Sequence, residues 1–364
     1  MATNWEIVAV LHNLKLTRSF DTQYFSLAPT SDQRVKGIVE QFPIWGNFIL
    51  NFHDDFKRKR DVSVILKNLD TTRIDNEWEA IITFRNIIAI SSILFHIQTR
   101  IRLPHHLGIF YSDNFIIHPS ILDKGGNLVT STPALQCIED LDDFNGHISP
   151  GLPEFFLDRL DDYLLSGLLT LWEEIFFTGN FNNWNYHALF RSLQIAFQAC
   201  SMPVRNGVSL FDLATQIALW GSAFETLVHP GGDEDVDKWK VIRLIGNLNY
   251  LKPELNERKY SSGQVDLTAI QFLYFELHKA RSNFLHGNPF DWEQIYPFNN
   301  IQHKAFTIVA PLIYRFALSS FLCQGDARFK PFDPNDPTAE IYTLQGQYEM
   351  AVAKSIRLPW FGVN

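Results

Sequence analysis

A chain of 364 residues with 46% hydrophobic content is long and apolar enough for two or three buried cores, which excludes a disordered protein. Its net charge of −9 argues against a broadly basic, nucleic-acid-coating surface, so an RNA-handling protein of this composition needs a local basic cleft. Cys137, Cys200 and Cys323 are odd in number and far apart, which supports neither a disulfide framework nor a zinc site and fits a reducing cytosol.

The opening MATNWEIVAVLHN lacks the basic start and sustained apolar core of a signal peptide. Val35 to Leu50 is broken by Gly37, Pro43 and Gly46, which leaves its secondary structure open. In FHDDFKRKRD, His53, Asp54 and Asp55 are adjacent and point different ways on one element, so a solvated surface is expected there and not a metal site. The quartet Lys57, Arg58, Lys59 and Arg60 reads as an exposed face, with phosphate contact as the alternative. Glu77 to Ile101 is the strongest helix of the first half. Arg85, Asn86, His96 and Gln98 give it a polar edge, which suits a buried helix and not a membrane span. The β-rich IFYSDNFIIHPSIL and the glycine turn after it predict a hairpin. Residues 1–145 therefore read as a mixed α+β domain without recognisable chemistry, suited to sensing or regulation. The acidic, Gly- and Pro-containing stretch Glu139 to Pro153 marks the boundary; Asp140, Asp142 and Asp143 lack the spacing of a calcium loop.

Residues 150–325 read as almost wholly helical. Helices are expected over Leu157–Phe177, Trp184–Ala199, Phe211–Val228, Trp239–Tyr250 and Lys304–Leu322. Arg191, Gln194 and Gln198 share a face, either lining a cleft or forming an exposed stripe. The acids of HPGGDEDVDKW suit a helix start, and ELNERKYSSGQ a flexible loop. Residues 326–364 form an exposed tail, with one more helix possible over Ile341–Lys354. No Walker loop, dinucleotide glycine fingerprint, HExxH or GxSxG occurs, and no cofactor or metal is implied.

Between the fourth and last of these helices, VDLTAIQFLYFELHKA reads as one apolar helix with Leu267, Ile270, Leu273, Tyr274 and Leu277 at helical spacing. Gly287 and Pro289 stop it, which puts His286 in the last turn, beside carbonyls that favour an imidazolium. Arg281 and His286, with four residues between them, suit phosphodiester chemistry. A guanidinium grips a phosphate with two parallel hydrogen bonds, and an imidazole moves the protons of the 2′-hydroxyl and the leaving oxygen. At about 3.6 residues per turn the two lie about 140° apart, so a symmetric dimer would be the way to gather two of each in one cleft. Arg100 and His105 repeat the spacing around Pro104, so the spacing alone is a weak signal. The structural alternative is that Arg281 pairs with an acidic side chain and His286 caps the helix.

The segment ARSNFLHG resembles the Arg-x4-6-His signature of HEPN domains, in particular the ApeA-like branch. ALWGSAFETLV, Ala218 to Val228, resembles that branch's earlier helix with its glutamate, here Glu225. The resemblance covers roughly the C-terminal half. It implies a mainly α protein: a C-terminal HEPN-type helical bundle with a mixed α+β N-terminal domain. It further implies a metal-independent endoribonuclease, cytoplasmic and prokaryotic, that cuts RNA as a homodimer in antiphage or abortive-infection defence, with a phage-derived trigger or regulatory partner. Arg281 would stabilise the phosphate and His286 would be the general acid–base. Ser282 or Asn283 would assist, in a place where many HEPN proteins carry Asn, Asp or His directly after the arginine. Glu225 would orient Arg281 or His286. The same family includes catalytically silent scaffolds that bind a partner or ligand.

Overall fold

The computed structural model describes residues 4–53, 57–70, 76–122, 128–130, 146–147, 156–178, 183–202, 208–233, 236–248, 250–263, 265–325 and 340–357. The protein is mainly α-helical with a mixed α+β N-terminal region.

The first unit comprises Met1–Arg85 and Tyr111–Arg159. Its strands are β1 (Trp5–Leu11), β2 (Lys15–Leu16), β3 (Phe20–Asp21), β4 (Phe25–Pro29), β5 (Phe52–His53), β6 (Ser63–Asn68), β7 (His118–Leu122), β8 (Leu128–Thr130), β9 (Gly146–His147) and β10 (Phe156–Leu157). Six of them form one antiparallel sheet in the order β3-β4-β6-β1-β7-β8. Ile7 to Leu11 are buried without a break, because both faces of a central strand are covered. The expected hairpin is β7–β8. The open stretch Val35–Leu50 becomes two short helices, α1 (Gln33–Gln41), capped by Asp32, and α2 (Pro43–Ile49). Pro43 does not break structure here; it starts α2, where its missing N–H costs nothing. Val35, Ile38, Trp45 and Phe48 pack on Val10, Val64 and Leu66.

The helix α3 (Glu77–Arg102) begins in this unit and continues into the second, which comprises Asn86–Phe110 and Leu160–Asn364. The units are thus not the contiguous 1–145 and 150–325 expected from the acidic stretch, which lies outside the described residues except for 146–147. What was expected as a polar edge of α3 is interior: Asn86, His96 and Gln98 are buried. Gln98 and His96 are tolerated there because partners exist, while the buried Asn86 Oδ1 has no hydrogen-bond partner among the described residues. Arg102 donates to Gln98 at 2.8 Å and to Gln347 at 3.0 Å, and the His96 and His106 rings lie 2.8 Å apart, nitrogen to nitrogen. Among the described residues two helices, α3 and the one at Phe306–Gln324, are long and apolar enough to cross a membrane, yet 83% and 78% of their apolar windows are buried inside the protein.

The second unit continues with α4 (Asp162–Thr178), α5 (Trp184–Ala199), α6 (Leu210–Leu227), α7 (Lys238–Gly246), α8 (Pro253–Asn256), strands β11 (Arg258–Ser262) and β12 (Val265–Thr268), α9 (Ala269–Leu285), α10 (Phe306–Gly325) and α11 (Glu340–Ser355). Its centre is aromatic. Phe224 of α6 packs on Tyr274 of α9 and Tyr314 of α10, at 5.0 and 5.3 Å between ring centroids. Ser192 of α5 meets the Tyr314 hydroxyl at 2.6 Å. Arg191, Gln194 and Gln198 form an exposed stripe. Two expectations fail here. The loop ELNERKYSSGQ and the start of the motif helix form the β11–β12 hairpin instead, because Tyr260 stacks on Phe272 and Phe298. The tail helix α11 is not exposed: Tyr348 and Glu349 are buried, and Glu349 accepts the backbone N–H of Leu251 and Lys252 at 2.9 and 2.8 Å. Residues 326–339 and 358–364 lie outside the described residues.

Candidate functional site

The helix α9 starts at Thr268, whose hydroxyl accepts from Gln271 N while Gln271 returns a bond to Thr268 N, a reciprocal cap. Its other end is equally well defined. Gly287 N donates to Phe284 O at 3.2 Å, and Asn288 N to Asn283 O at 2.9 Å, with Gly287 at φ +70°. That pair of bonds is the Schellman ending, which requires a left-handed residue after the cap, and glycine takes it without penalty. His286 is therefore the C-cap residue, its ring exposed. Asn283 is drawn into the same ending, its side-chain oxygen 3.4 Å from Asn288 Nδ2. Ser282 supplies its carbonyl to His286 N at 3.0 Å.

Arg281 faces the other way. Tyr274, His278 and Arg281 fall at i, i+4 and i+7, one stripe turned toward α6. There Arg281 Nη1 donates to Glu225 Oε1 at 2.9 Å, and both side chains are largely buried, at 20% and 17% exposure. The approach depends on Gly221, one turn before Glu225. A Cβ at that position would sit 2.3 Å from Arg281 Cδ, so only glycine lets the arginine stem cross the helix. Arg281 Nε is buried without a hydrogen-bond partner, and so is the Tyr274 hydroxyl.

The electrostatics follow from this enclosure. Burial raises the Glu225 carboxyl above its usual range, while the Arg281 charge opposes that rise. Burial, together with the cations Lys238 and Arg281, lowers the His278 imidazole to about 4 against the opposing pull of Asp237. His278 is thus neutral near pH 7, and its Nε2, 3.6 Å from Glu225 Oε1, makes a polar contact there and not an ion pair.

Of the five residues singled out in the sequence, Glu225 and Arg281 meet, Ser282 and Asn283 build the helix end, and His286 stands in solvent beyond it. No hydrogen bond links Arg281 to His286 or Glu225 to His286 among the described residues. Glu225 contacts His278 in addition to Arg281. His278 was legible in principle, being three residues before Arg281 on one face; Gly221 had no signal, since its role depends on a chain segment 60 residues away. The second Arg-x4-His pair has a different part to play. Arg100 donates to the His106 carbonyl at 2.6 Å and closes the turn after α3, and His105 is exposed.

Several other candidates resolve simply. Lys57, Arg58 and Lys59 are exposed, and Asp54 and Asp55 lie outside the described residues. Asp237 is the helix-start acid of the polar loop, accepting from Trp239 N at 3.1 Å. Among the described residues no group of three or more His, Cys, Asp or Glu side chains is placed to hold a metal ion. Cys200 is buried, with its thiol pKa pushed up by burial, and Cys323 is half-buried; Cys137 lies outside the described residues.

Three large apolar side chains are exposed on this part of the unit: Phe211 is 67% exposed, Leu285, next to His286 in the chain, 54% and Trp292 52%. Phe284 contacts both Phe211 and Phe290 edge-on, at 5.4 and 5.7 Å. Compared with known proteins, the chain matches no family model, no curated protein and no solved structure.

Proposed function

We propose that this protein is a metal-independent endoribonuclease of the HEPN type, active as a homodimer. The observation that carries the reading is the Glu225–Arg281 brace on α6 and α9, with His286 exposed at the end of the same α9. The brace holds the guanidinium in one orientation through Nη1, and such a fixed fork suits a phosphate oxygen at its other amino group. The His286 ring, exposed and without a hydrogen bond among the described residues, is free to move protons. One copy separates the two side chains on different faces of α9, so a second copy is needed to complete a cleft. Exposed apolar side chains such as Leu285, which precedes His286, and Phe211 and Trp292 are the kind of surface a partner copy would cover. With no metal, the 2′-hydroxyl is the nucleophile, and the product carries a 2′,3′-cyclic phosphate. Ser282 and Asn283 serve by shaping the helix end. We assign the protein to antiphage or abortive-infection defence in a prokaryotic cytoplasm, with a phage-derived trigger.

One observation favours a second reading, a silent HEPN scaffold that binds a partner. Glu225 neutralises the charge of Arg281, and a buried, paired arginine is also a good structural tie. Induced expression of wild type beside His286→Ala and Arg281→Ala separates the two. The nuclease reading expects growth arrest and RNA fragments ending in 2′,3′-cyclic phosphate from wild type only. Fragments from His286→Ala at the wild-type level would refute it, as would intact RNA from a dimer purified together with its trigger.

A further inference from the structure

We propose that the second unit holds a separate binding site, a pocket for a small organophosphate. A cavity of about 660 Å³ opens between α4, α6, α7 and α10 and the start of α5, and neither Arg281 nor His286 lines it. That volume is in the range of small-molecule sites, roughly 300–1,000 Å³. Its floor is apolar: Leu171, Leu227, Leu244 and Leu322 are all nearly or fully buried. Its rim is cationic and amide-rich. Lys240, Arg243 and Asn247 project from one face of α7, at i, i+3 and i+7, with Asn183, Asn185 and Gln324 among the other lining groups.

Among the described residues no Asp or Glu lines the cavity, in a chain where acidic side chains outnumber basic ones by 40 to 31. Arg243 is exposed and makes no ion pair among the described residues, so its fork is available to an incoming anion. His229 adds a donor. Its Nδ1 accepts from Gly231 N at 3.0 Å, which fixes the neutral tautomer with the proton on Nε2. The Tyr186 hydroxyl is already engaged, donating to Glu174 Oε2 at 3.3 Å, and is not part of the recognition set. A rim of cations and amide donors over a hydrocarbon floor selects a ligand with a phosphate at one end and an apolar body at the other. Inorganic phosphate would fill only the rim, and a neutral aromatic only the floor.

The test titrates the full-length protein with phenyl phosphate, inorganic phosphate and phenol by calorimetry at fixed salt. Phenyl phosphate should bind at least about tenfold more tightly than either fragment, because apolar burial and charge-assisted hydrogen bonds then act together. Arg243→Gln should weaken it about tenfold, and Lys240→Gln/Arg243→Gln should abolish it, with thermal unfolding unchanged as a control for folding. Equal binding of phosphate and phenyl phosphate, or undiminished binding by the double variant, would overturn the proposal. So would a single-stranded RNA oligonucleotide that needs Lys240 and Arg243 while phenyl phosphate does not bind, since the rim would then be an RNA backbone contact. His286→Ala should bind phenyl phosphate as wild type does, which keeps this result independent of the nuclease reading.

Discussion

Gly221→Ala sets two calculable effects against each other. Alanine within a helix is favoured over glycine by about 1 kcal/mol, so on α6 alone the substitution stabilises. The new methyl, however, would lie 2.3 Å from Arg281 Cδ, where ordinary contact begins at 3.4 Å. The arginine must therefore retreat by about 1 Å, from the difference between those two distances, and its 2.9 Å bond to Glu225 stretches beyond hydrogen-bonding range. Losing a hydrogen bond between charged, largely buried groups costs about 1.5–3 kcal/mol. The expected sum is a net loss of about 1 kcal/mol in urea unfolding, within a range of about 0.5–2. A double-mutant cycle isolates the cause. With Arg281→Ala in place there is no Cδ to displace, and Gly221→Ala should now stabilise by about 1 kcal/mol. If Gly221→Ala stabilises the wild type by that same amount, the close crossing of Arg281 over α6 is not what holds the pair, and the argument fails. If the proposed nuclease reading holds, RNA cleavage should fall in Gly221→Ala as well, since the guanidinium loses its brace.

His278 predicts an acid-sensitive window. Its folded pKa of about 4 lies below the ordinary 6.5, so the unfolded chain takes up a proton first and the folded state loses stability as pH falls from 6.5 to 4. Allowing for partial solvent screening, the loss is about 2 kcal/mol; His278→Gln should flatten that part of the pH–stability curve, and an unchanged slope would contradict the assignment. Arg315 ties α10 to Asp161 at 3.1 Å and to Gln345 of α11, with Arg315 and Asp161 both almost wholly buried. Arg315→Met leaves the Asp161 carboxylate without its cation and should cost about 3–5 kcal/mol in urea unfolding. Arg315→Met/Asp161→Leu should recover much of that, and a single-variant cost below about 1 kcal/mol would show the pair to be expendable.

Local signals carried far where the cause was local. Trp184–Ala199 is a helix with the limits expected of it, its start fixed by the Asn183 side chain. The end of α9 follows from Gly287, because a left-handed residue after the cap is a requirement of the chain itself and not of its neighbours. Asp237 at the head of α7 was legible for the same reason. The sequence also placed Arg281 and His286 on different sides of one helix, since helical periodicity needs only the chain.

Tertiary structure decided whatever depends on residues distant along the chain. Val265–Thr268 has the apolar content of a helix turn, yet it pairs with β11 because Tyr260 stacks on Phe272 and Phe298. The polar Glu349 looks like a surface residue in a tail, and it is buried because two backbone N–H groups about a hundred positions earlier need an acceptor. Residues 86–110 join the C-terminal helices, not the sheet that precedes them, because Gln98 and Arg102 find Gln347. Glu225 could be named from the sequence as a partner for Arg281, but its reach was set only by Gly221, whose missing side chain opens the crossing of α6 and α9. Periodicity and caps are properties of consecutive residues. Burial and charge pairing belong to surfaces that exist only after the chain has folded.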